Sequence, residues 1–126
     1  ESWYGTAGTC SACATTSTLA CTACTVRFGG LFSYIIGNVT AGNTYTLRLT
    51  FSEVWWTSAG NRIFNVEVDG VAVLSGVDVY ALAGAKFTPV VREVSVKARA
   101  ATMSVTFRST ADNAIVAAVE VSRPDL

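Results

Sequence analysis

Apolar and polar residues alternate along most of the chain after residue 30, which is the pattern of strands that bury one face. Leu31–Ile36 is a short apolar run, Asp69-Gly70 predicts a type I′ hairpin turn into Val71–Leu74, and Val77–Tyr80 predicts a further strand before a loop at Ala81–Lys86. The alternating stripes are Tyr45, Leu47, Leu49 and Phe51; Phe64, Val66 and Val68; Val90, Val94 and Val96; Met103, Val105 and Phe107; and Ile115, Ala117, Val119 and Val121. Seven or eight closely spaced strands without a convincing helical stretch predict an all-β, antiparallel sandwich.

Length and charge narrow the classes of protein to consider. The 126 residues suffice for one domain with a hydrophobic core, and we expect a single domain. Nine acidic residues balance nine basic ones without a basic cluster, so nucleic acid is not an expected partner. No apolar run reaches the roughly 18 residues of a membrane span. The chain opens at Glu1 without an initiator Met, which we interpret as a processed or excised piece.

The sequence offers little that predicts catalysis. It contains no histidine, which is the commonest general base and a common metal ligand. Its carboxylates are scattered: Asp69 is explained by its turn, and Glu67, Glu93 and Glu120 by the solvent face of alternating strands. We therefore expect a non-enzymatic protein without a cofactor.

Four cysteines form a tandem of two Cys-Ser/Thr-Ala-Cys units near the start of the chain. Two such pairs can bind zinc, but the segment has neither a histidine nor basic residues that would support thiolates. Pairing Cys10 with Cys24 and Cys13 with Cys21 would place both bridges in one antiparallel register around a turn at residues 16–18. Other connectivities stay open, since four cysteines allow three pairings. Disulfides predict an oxidising compartment, so we expect an extracellular or secreted protein.

Asn38 begins the triplet Asn38-Val39-Thr40, an acceptor sequence for N-linked glycosylation. It lies between two predicted strands, where a glycan could project into water. We predict that Asn38 is modified, although such triplets also arise by chance.

Two adjacent tryptophans, Trp55 and Trp56, follow the strand that ends at Phe51. Neighbouring residues of a strand point to opposite faces, so one sandwich core cannot hold both rings. Strand phase would bury Glu53, at a cost of several kcal/mol without a partner, so we expect a bulge or bend near Ser52-Glu53. Phase then no longer decides which ring faces outward.

The chain resembles the malectin and malectin-like carbohydrate-binding domains from about Arg27 to Val121. The order and spacing of its segments match that family, and the combination is more specific than any one piece. The matching segments are Tyr45–Trp56, Asn61–Gly70, Val77–Tyr80, Ala111–Ile115 and Ala118–Val121. The resemblance implies a jelly-roll-like β-sandwich of the carbohydrate-binding-module type, non-catalytic, whose loops at one edge hold a sugar.

The resemblance also implies a set of binding residues. The family's paired aromatics fall on Trp55 and Trp56, its ligand-binding aspartate falls on Asp112, one further ring falls on Phe28, and Tyr4 is a looser match. Aromatic planes and a carboxylate are what the C–H face and the hydroxyl rim of a sugar require. The alternatives are structural, because Trp is often a core residue of sandwiches and Asp before Asn is often a turn former.

Two functions from different classes follow. The first is a non-catalytic extracellular carbohydrate-binding module, with a glycan or glycoprotein as its partner. In that case residues 1–26 are a Cys/Thr-rich disulfide loop and residues 27–121 the sandwich core. The second is a structural subunit of an extracellular filament, sheath or adhesin. The family usually begins with a strand that precedes the first residues of this chain, so its absence would leave a sheet edge open to another copy or a neighbouring domain.

Overall fold

A computed structural model describes residues 2–4 and 25–123, and for residues 2–4 and 25 it describes the backbone alone. The described residues form ten strands and one short helix. In chain order these are β1 Ser2–Tyr4, β2 Thr25–Gly29, β3 Leu31–Ile36, β4 Thr44–Phe51, β5 Ile63–Val68, β6 Val71–Val77, α1 Val79–Ala83, β7 Val90–Lys97, β8 Met103–Ala111, β9 Ala114–Val116 and β10 Ala118–Ser122.

The strands pair antiparallel in three ladders, with the orders β1-β2-β9, β10-β4-β7 and β3-β8-β5-β6. The first two ladders are joined, because β9 and β10 are separated by Ala117 alone. β9 pairs with β2 and β10 pairs with β4, while the Ala117 amide donates to the Thr50 carbonyl at 2.8 Å. The result is two layers, one built around β4 and the other around β5 and β8.

The core lies between these layers and follows the alternation seen in the sequence. Phe51 of β4 meets Phe64 of β5 with ring centroids 5.5 Å apart, which joins one layer to the other. Each fully buried side chain of this size contributes about 1.5–3 kcal/mol through loss of contact with water. The members from the three central strands are Tyr45, Leu47, Leu49, Phe51, Phe64, Val66, Val68, Met103, Val105 and Phe107.

The predicted all-β antiparallel sandwich is confirmed, whereas its jelly-roll connection stays a prediction. The hairpin at Asp69-Gly70 is confirmed in detail: both residues have positive φ angles, 49° and 83°, and they join β5 to β6. Two positive φ angles are the signature of the type I′ turn, and Asp and Gly tolerate them well.

The predicted strand at Val77–Tyr80 is wrong. β6 ends at Val77 and the helix α1 runs from Val79 to Ala83, so the first half of the predicted loop at Ala81–Lys86 is helical as well. The Asp78 carboxylate caps the helix by accepting from the Ala81 amide at 3.1 Å, and Gly84 ends it with a φ of 78°. Asp is a common residue at the start of a helix and Gly at its end, and Asp78 and Gly84 occupy these two positions around α1.

The N-terminal residues differ from expectation in one respect. Ser2–Tyr4, which we expected to follow a missing strand, themselves form β1 and pair with Thr25–Arg27 of β2. The four cysteines and their two predicted disulfides lie outside the described residues.

Candidate functional site

Glu53 is the centre of a buried polar network just beyond the end of β4. Its side chain is 0% exposed, and both carboxylate oxygens are paired with Arg62: Oε1 accepts from Nε at 2.7 Å and Oε2 from Nη2 at 3.1 Å. Oε2 also accepts from the amides of Trp55 at 3.0 Å and Trp56 at 3.1 Å. A buried carboxylate is tolerated when it is paired and hydrogen-bonded in this way. The same carboxylate holds the backbone of the tryptophan pair.

Arg62 connects this network to the turn between β8 and β9. The guanidinium is 5% exposed; its Nη1 donates to the Asn113 carbonyl at 2.8 Å and lies 3.4 Å from Oδ2 of Asp112. Arg62 immediately precedes β5, so two segments distant in sequence are tied to one planar cation. A guanidinium suits this role because its donors form a rigid fork.

Asp112 has a left-handed backbone, with φ of 55°, at the sharp turn between β8 and β9. Its Oδ2 accepts from the indole Nε1 of Trp56 at 3.2 Å in addition to facing Arg62. Oδ1 makes no hydrogen bond with any of the described residues, and the side chain is 37% exposed. Within the described part of the chain, Oδ1 of Asp112 is thus an uncommitted carboxylate oxygen.

The two tryptophans occupy different environments. Trp56 is partly buried and its indole nitrogen is committed to Asp112, whereas Trp55 is 65% exposed. β4 ends at Phe51, so the strand phase is broken before the pair begins. Trp55 is therefore the ring that faces outward, and Trp56 is the ring that orients the aspartate.

These groups surround a pocket of about 260 Å³ at the edge of the sandwich. It combines two aromatic rings with a carboxylate, a guanidinium and an asparagine, a composition suited to a small polar ligand with an apolar face. The lining residues are Phe28, Val54, Trp55, Arg62, Asp112, Asn113 and Ile115.

The structure brings together three of the residues that the sequence predicted for a sugar site: Phe28, Trp55 and Asp112. Trp56 contacts Asp112, but it is not among the residues that line the pocket. The backbone of Tyr4 pairs with Thr25 in β1 and β2, and its side chain lies outside the described part.

Sequence reasoning missed Arg62 and Asn113. The sequence indicated that Glu53 needs a cationic partner, because the strand phase places this carboxylate on the buried face. It did not indicate which of the nine basic residues is that partner. For Asn113 the sequence indicated only a turn. Its role could not be inferred from its side chain, because the group that accepts from Arg62 is its backbone carbonyl.

Asn38 lies at the opposite end of β3 from the pocket, in the connection to β4. It is exposed, with φ of 60°, and the following residues are fixed by two bonds: the Val39 amide donates to the Ala101 carbonyl at 3.3 Å and the Thr40 amide to the Tyr45 hydroxyl at 2.8 Å. The Thr40 amide lowers the pKa of Tyr45, because it stabilises the phenolate.

Solved structures with the same fold come from plants and bacteria. The ANX2 ectodomain from Arabidopsis thaliana superposes with a TM-score of 0.81 at 13% identity, over 96% of this chain and 39% of that chain. A calcium-binding mutant of Bacteroides uniformis beta-glucuronidase 2 gives 0.76 at 11% identity, over 98% and 13%. A structure of the plant peptide RALF23 in complex with FER and LLG2 gives 0.70 at 18% identity, over 78% and 31%. This chain thus spans about two fifths of the ANX2 ectodomain's length.

Among curated proteins none is similar in sequence to this chain. No helix in residues 25–123 is long and apolar enough to cross a membrane. The model of the malectin domain matches residues 25–125, which is most of the chain and includes the predicted stretch from Arg27 to Val121. The chain therefore belongs to the malectin domain family.

Proposed function

We propose that the domain is a non-catalytic extracellular carbohydrate-binding module and that the pocket of Trp55, Phe28 and Asp112 receives the sugar. The observation that carries the proposal is the exposed Trp55 ring on the same pocket as an uncommitted carboxylate oxygen of Asp112. The ring offers a plane to the C–H face of a pyranose, and the oxygen accepts from a hydroxyl at its rim.

The site is organised before any ligand arrives. Asp112 is oriented by Trp56 and Arg62, and Arg62 is in turn oriented by Glu53. A pre-oriented polar group needs less ordering on binding, which is the main route by which a small pocket gains affinity. Membership of the malectin family and the composition of the pocket both support this function.

The carboxylates also support a non-catalytic role. Most glycoside hydrolases use two carboxyl groups that flank the scissile bond. Here Glu53 is fully buried, and both of its carboxylate oxygens accept hydrogen bonds from Arg62 or from backbone amides, so it cannot reach a substrate. Among the described residues, Asp112 is then the one acidic side chain that lines the pocket.

The extracellular assignment is supported by the structural neighbours, since the ANX2 structure is described as an ectodomain. We propose one domain with residues 27–121 as the sandwich and a disulfide-bonded loop within residues 1–26, whose ends contribute β1 and the start of β2 to the sheet. The FER structure contains a peptide and a protein partner, so a protein is the chief alternative occupant of the same edge.

The test is glycan binding by the wild type and by Trp55→Ala. We expect the substitution to weaken binding by about 1–3 kcal/mol, the range for a buried aromatic contact, with unfolding free energy changed by less than about 1 kcal/mol. Val71→Ala is the matched control, because Val71 is also an exposed apolar residue, at 48%, and lies at the hairpin end of β5 and β6, the far end of β5 from Arg62. Equal affinities for Trp55→Ala and Val71→Ala, or no glycan bound by the wild type, would contradict the proposal.

A second function, assembly through a sheet edge, is supported by β3. The Ser109 amide donates to the Gly30 carbonyl at 2.9 Å, so alternation directs the backbone groups of Leu31, Ser33 and Ile35 away from β8. Among the described residues no second strand pairs with this edge, although the Ser33 carbonyl accepts from Arg27 Nη1 at 3.5 Å. Leu31 and Ile35 also expose large aliphatic side chains there. An apolar, unpaired edge strand is a template for another strand. Sedimentation velocity tests it: Ile35→Lys should abolish any concentration-dependent association, and a wild type that stays monomeric at high concentration would exclude it.

A further inference from the structure

The cluster of Glu53, Arg62 and Asp112 at the pocket carries a net negative charge, because one arginine faces two carboxylates. Among the described residues of the network, Glu53 and Asp112 each contribute one negative charge and Arg62 one positive charge, which leaves a net charge of minus one. The negative charge is placed asymmetrically, because the Glu53–Arg62 pair is buried and the exposed carboxylate belongs to Asp112. A ligand in the pocket therefore meets an anion.

Arg62 and Arg27 already have partners of their own. Arg62 is the one basic residue among the described residues that line the pocket; its Nε and Nη2 donate to Glu53, and its Nη1 donates to the Asn113 carbonyl and lies 3.4 Å from Asp112 Oδ2. Arg27, next to Phe28 on β2, lies over the rings of Phe32 and Tyr34 at 4.7 and 4.9 Å. A ligand carboxylate, sulfate or phosphate would find no unpaired basic side chain among the described residues that line this pocket, because Arg62 is already paired with Glu53 and Asp112.

The aromatic lining of the pocket also favours a cationic ligand over an anionic one. The exposed face of Trp55 and the ring of Phe28 carry the negative quadrupole that attracts ammonium groups, and Trp is the strongest of the aromatic residues in this respect. An uncommitted carboxylate oxygen beside an exposed indole is a site for a protonated amine. Within the carbohydrates, a protonated amine belongs to an amino sugar that carries no acetyl group.

We infer that the pocket selects amino sugars, with the ammonium of a glucosamine unit paired to Oδ1 of Asp112 and its ring stacked on Trp55. This inference rests on the proposed function, because it names the sugar class for the same pocket. A charge-assisted contact at a partly exposed site and a cation–π contact each change affinity a few-fold, so we expect about five- to twentyfold tighter binding of a glucosamine oligomer than of a glucose oligomer.

The test compares three β-1,4-linked tetrasaccharides by isothermal titration at mildly acidic pH: one of glucosamine, one of N-acetylglucosamine and one of glucose. They differ at the C2 substituent alone. We expect glucosamine to bind tightest, and its advantage to shrink at about 0.5 M salt, where exposed charges are screened. Equal affinities for the glucosamine and glucose oligomers would overturn the inference and leave the proposed function standing. Absence of binding to all three would overturn both.

Asp112→Asn is the decisive variant. Asn tolerates the left-handed φ of Asp112, and its amide oxygen can still accept from the Trp56 indole, so the fold should be retained. We expect the ratio of glucose to glucosamine dissociation constants to fall toward one. Glu67→Gln is the matched control: it removes the same charge from β5 about five strand positions beyond Arg62, and it should keep the wild-type ratio. An unchanged ratio in Asp112→Asn would overturn the inference, as would a trilysine peptide that binds more tightly than the glucosamine oligomer.

Discussion

The buried ion pair between Glu53 and Arg62 should dominate the stability of the pocket edge, and Arg62→Ala tests this directly. The substitution removes two donors to the Glu53 carboxylate and one to the Asn113 carbonyl, and it leaves the carboxylate fully buried. Glu53 would keep its hydrogen bonds from the amides of Trp55 and Trp56. These two donors compensate only part of the cost of burying its negative charge.

The expected cost follows from this geometry. Opposite charges about 4 Å apart attract by about 4 kcal/mol at an effective dielectric of 20, and breaking a buried pair from one side costs about 3–5 kcal/mol. We expect Arg62→Ala to lose about 3–5 kcal/mol of unfolding free energy. That is a large share of the roughly 5–15 kcal/mol of a typical domain.

Arg108→Ala is the control, because it is the same substitution at a solvent-exposed pair. Arg108 Nε lies 3.0 Å from Glu67 Oε2, but its side chain is 51% exposed, so its loss should cost less than about 1 kcal/mol. Urea unfolding, followed by tryptophan fluorescence and circular dichroism, measures both. If Arg62→Ala fails to fold, Arg62→Lys, which keeps the charge without the fork, should lie between the two. Similar costs for Arg62→Ala and Arg108→Ala would refute the reasoning.

Three further predictions concern other parts of the chain. Asn38 should carry an N-linked glycan on material secreted from eukaryotic cells, which intact mass before and after enzymatic deglycosylation would reveal; an unchanged mass makes the sequon incidental. Peptide mapping under non-reducing conditions should recover the two disulfides predicted above, and free thiols or stoichiometric zinc would contradict them. Gly70→Ala should cost about 1 kcal/mol because of its positive φ, whereas Gly37→Ala, at a position without steric neighbours or positive φ, should be neutral or slightly stabilising. Equal effects of the two glycine substitutions on thermal unfolding would argue against the turn assignment.

Several structural features could be predicted from local sequence because they depend on neighbours along the chain. The stripe of Tyr45, Leu47, Leu49 and Phe51 has period two, and all four side chains are buried in β4. The Asp69-Gly70 turn depends on the φ angles that its own two residues can adopt. The helix α1 also depends on local sequence, because its caps are Asp78 and Gly84. The apolar residues at Val77–Tyr80 instead predict a strand, and that prediction is wrong.

The candidate site divides in the same way. Adjacency alone required Trp55 and Trp56 to point in different directions, and family resemblance indicated Asp112 and Phe28 as their companions. Sequence could not choose the outward ring, because that choice depends on where β4 ends and on which group binds each tryptophan. Trp56 is oriented by Asp112, which lies 56 residues further along the chain.

By itself the sequence determined the class of fold, the strand phases, the tight hairpin turn and the family, all of which arise from short-range periodicity, backbone preference and motif order. Only the tertiary structure decided that Glu53 is buried against Arg62, that Arg62 reaches Asn113 and Asp112, and that Trp55 is left exposed beside them. The reason is physical: a buried charge must find a counter-charge and donors within about 3 Å. Which residues supply them depends on how the two layers bring distant segments together at the edge of the sandwich.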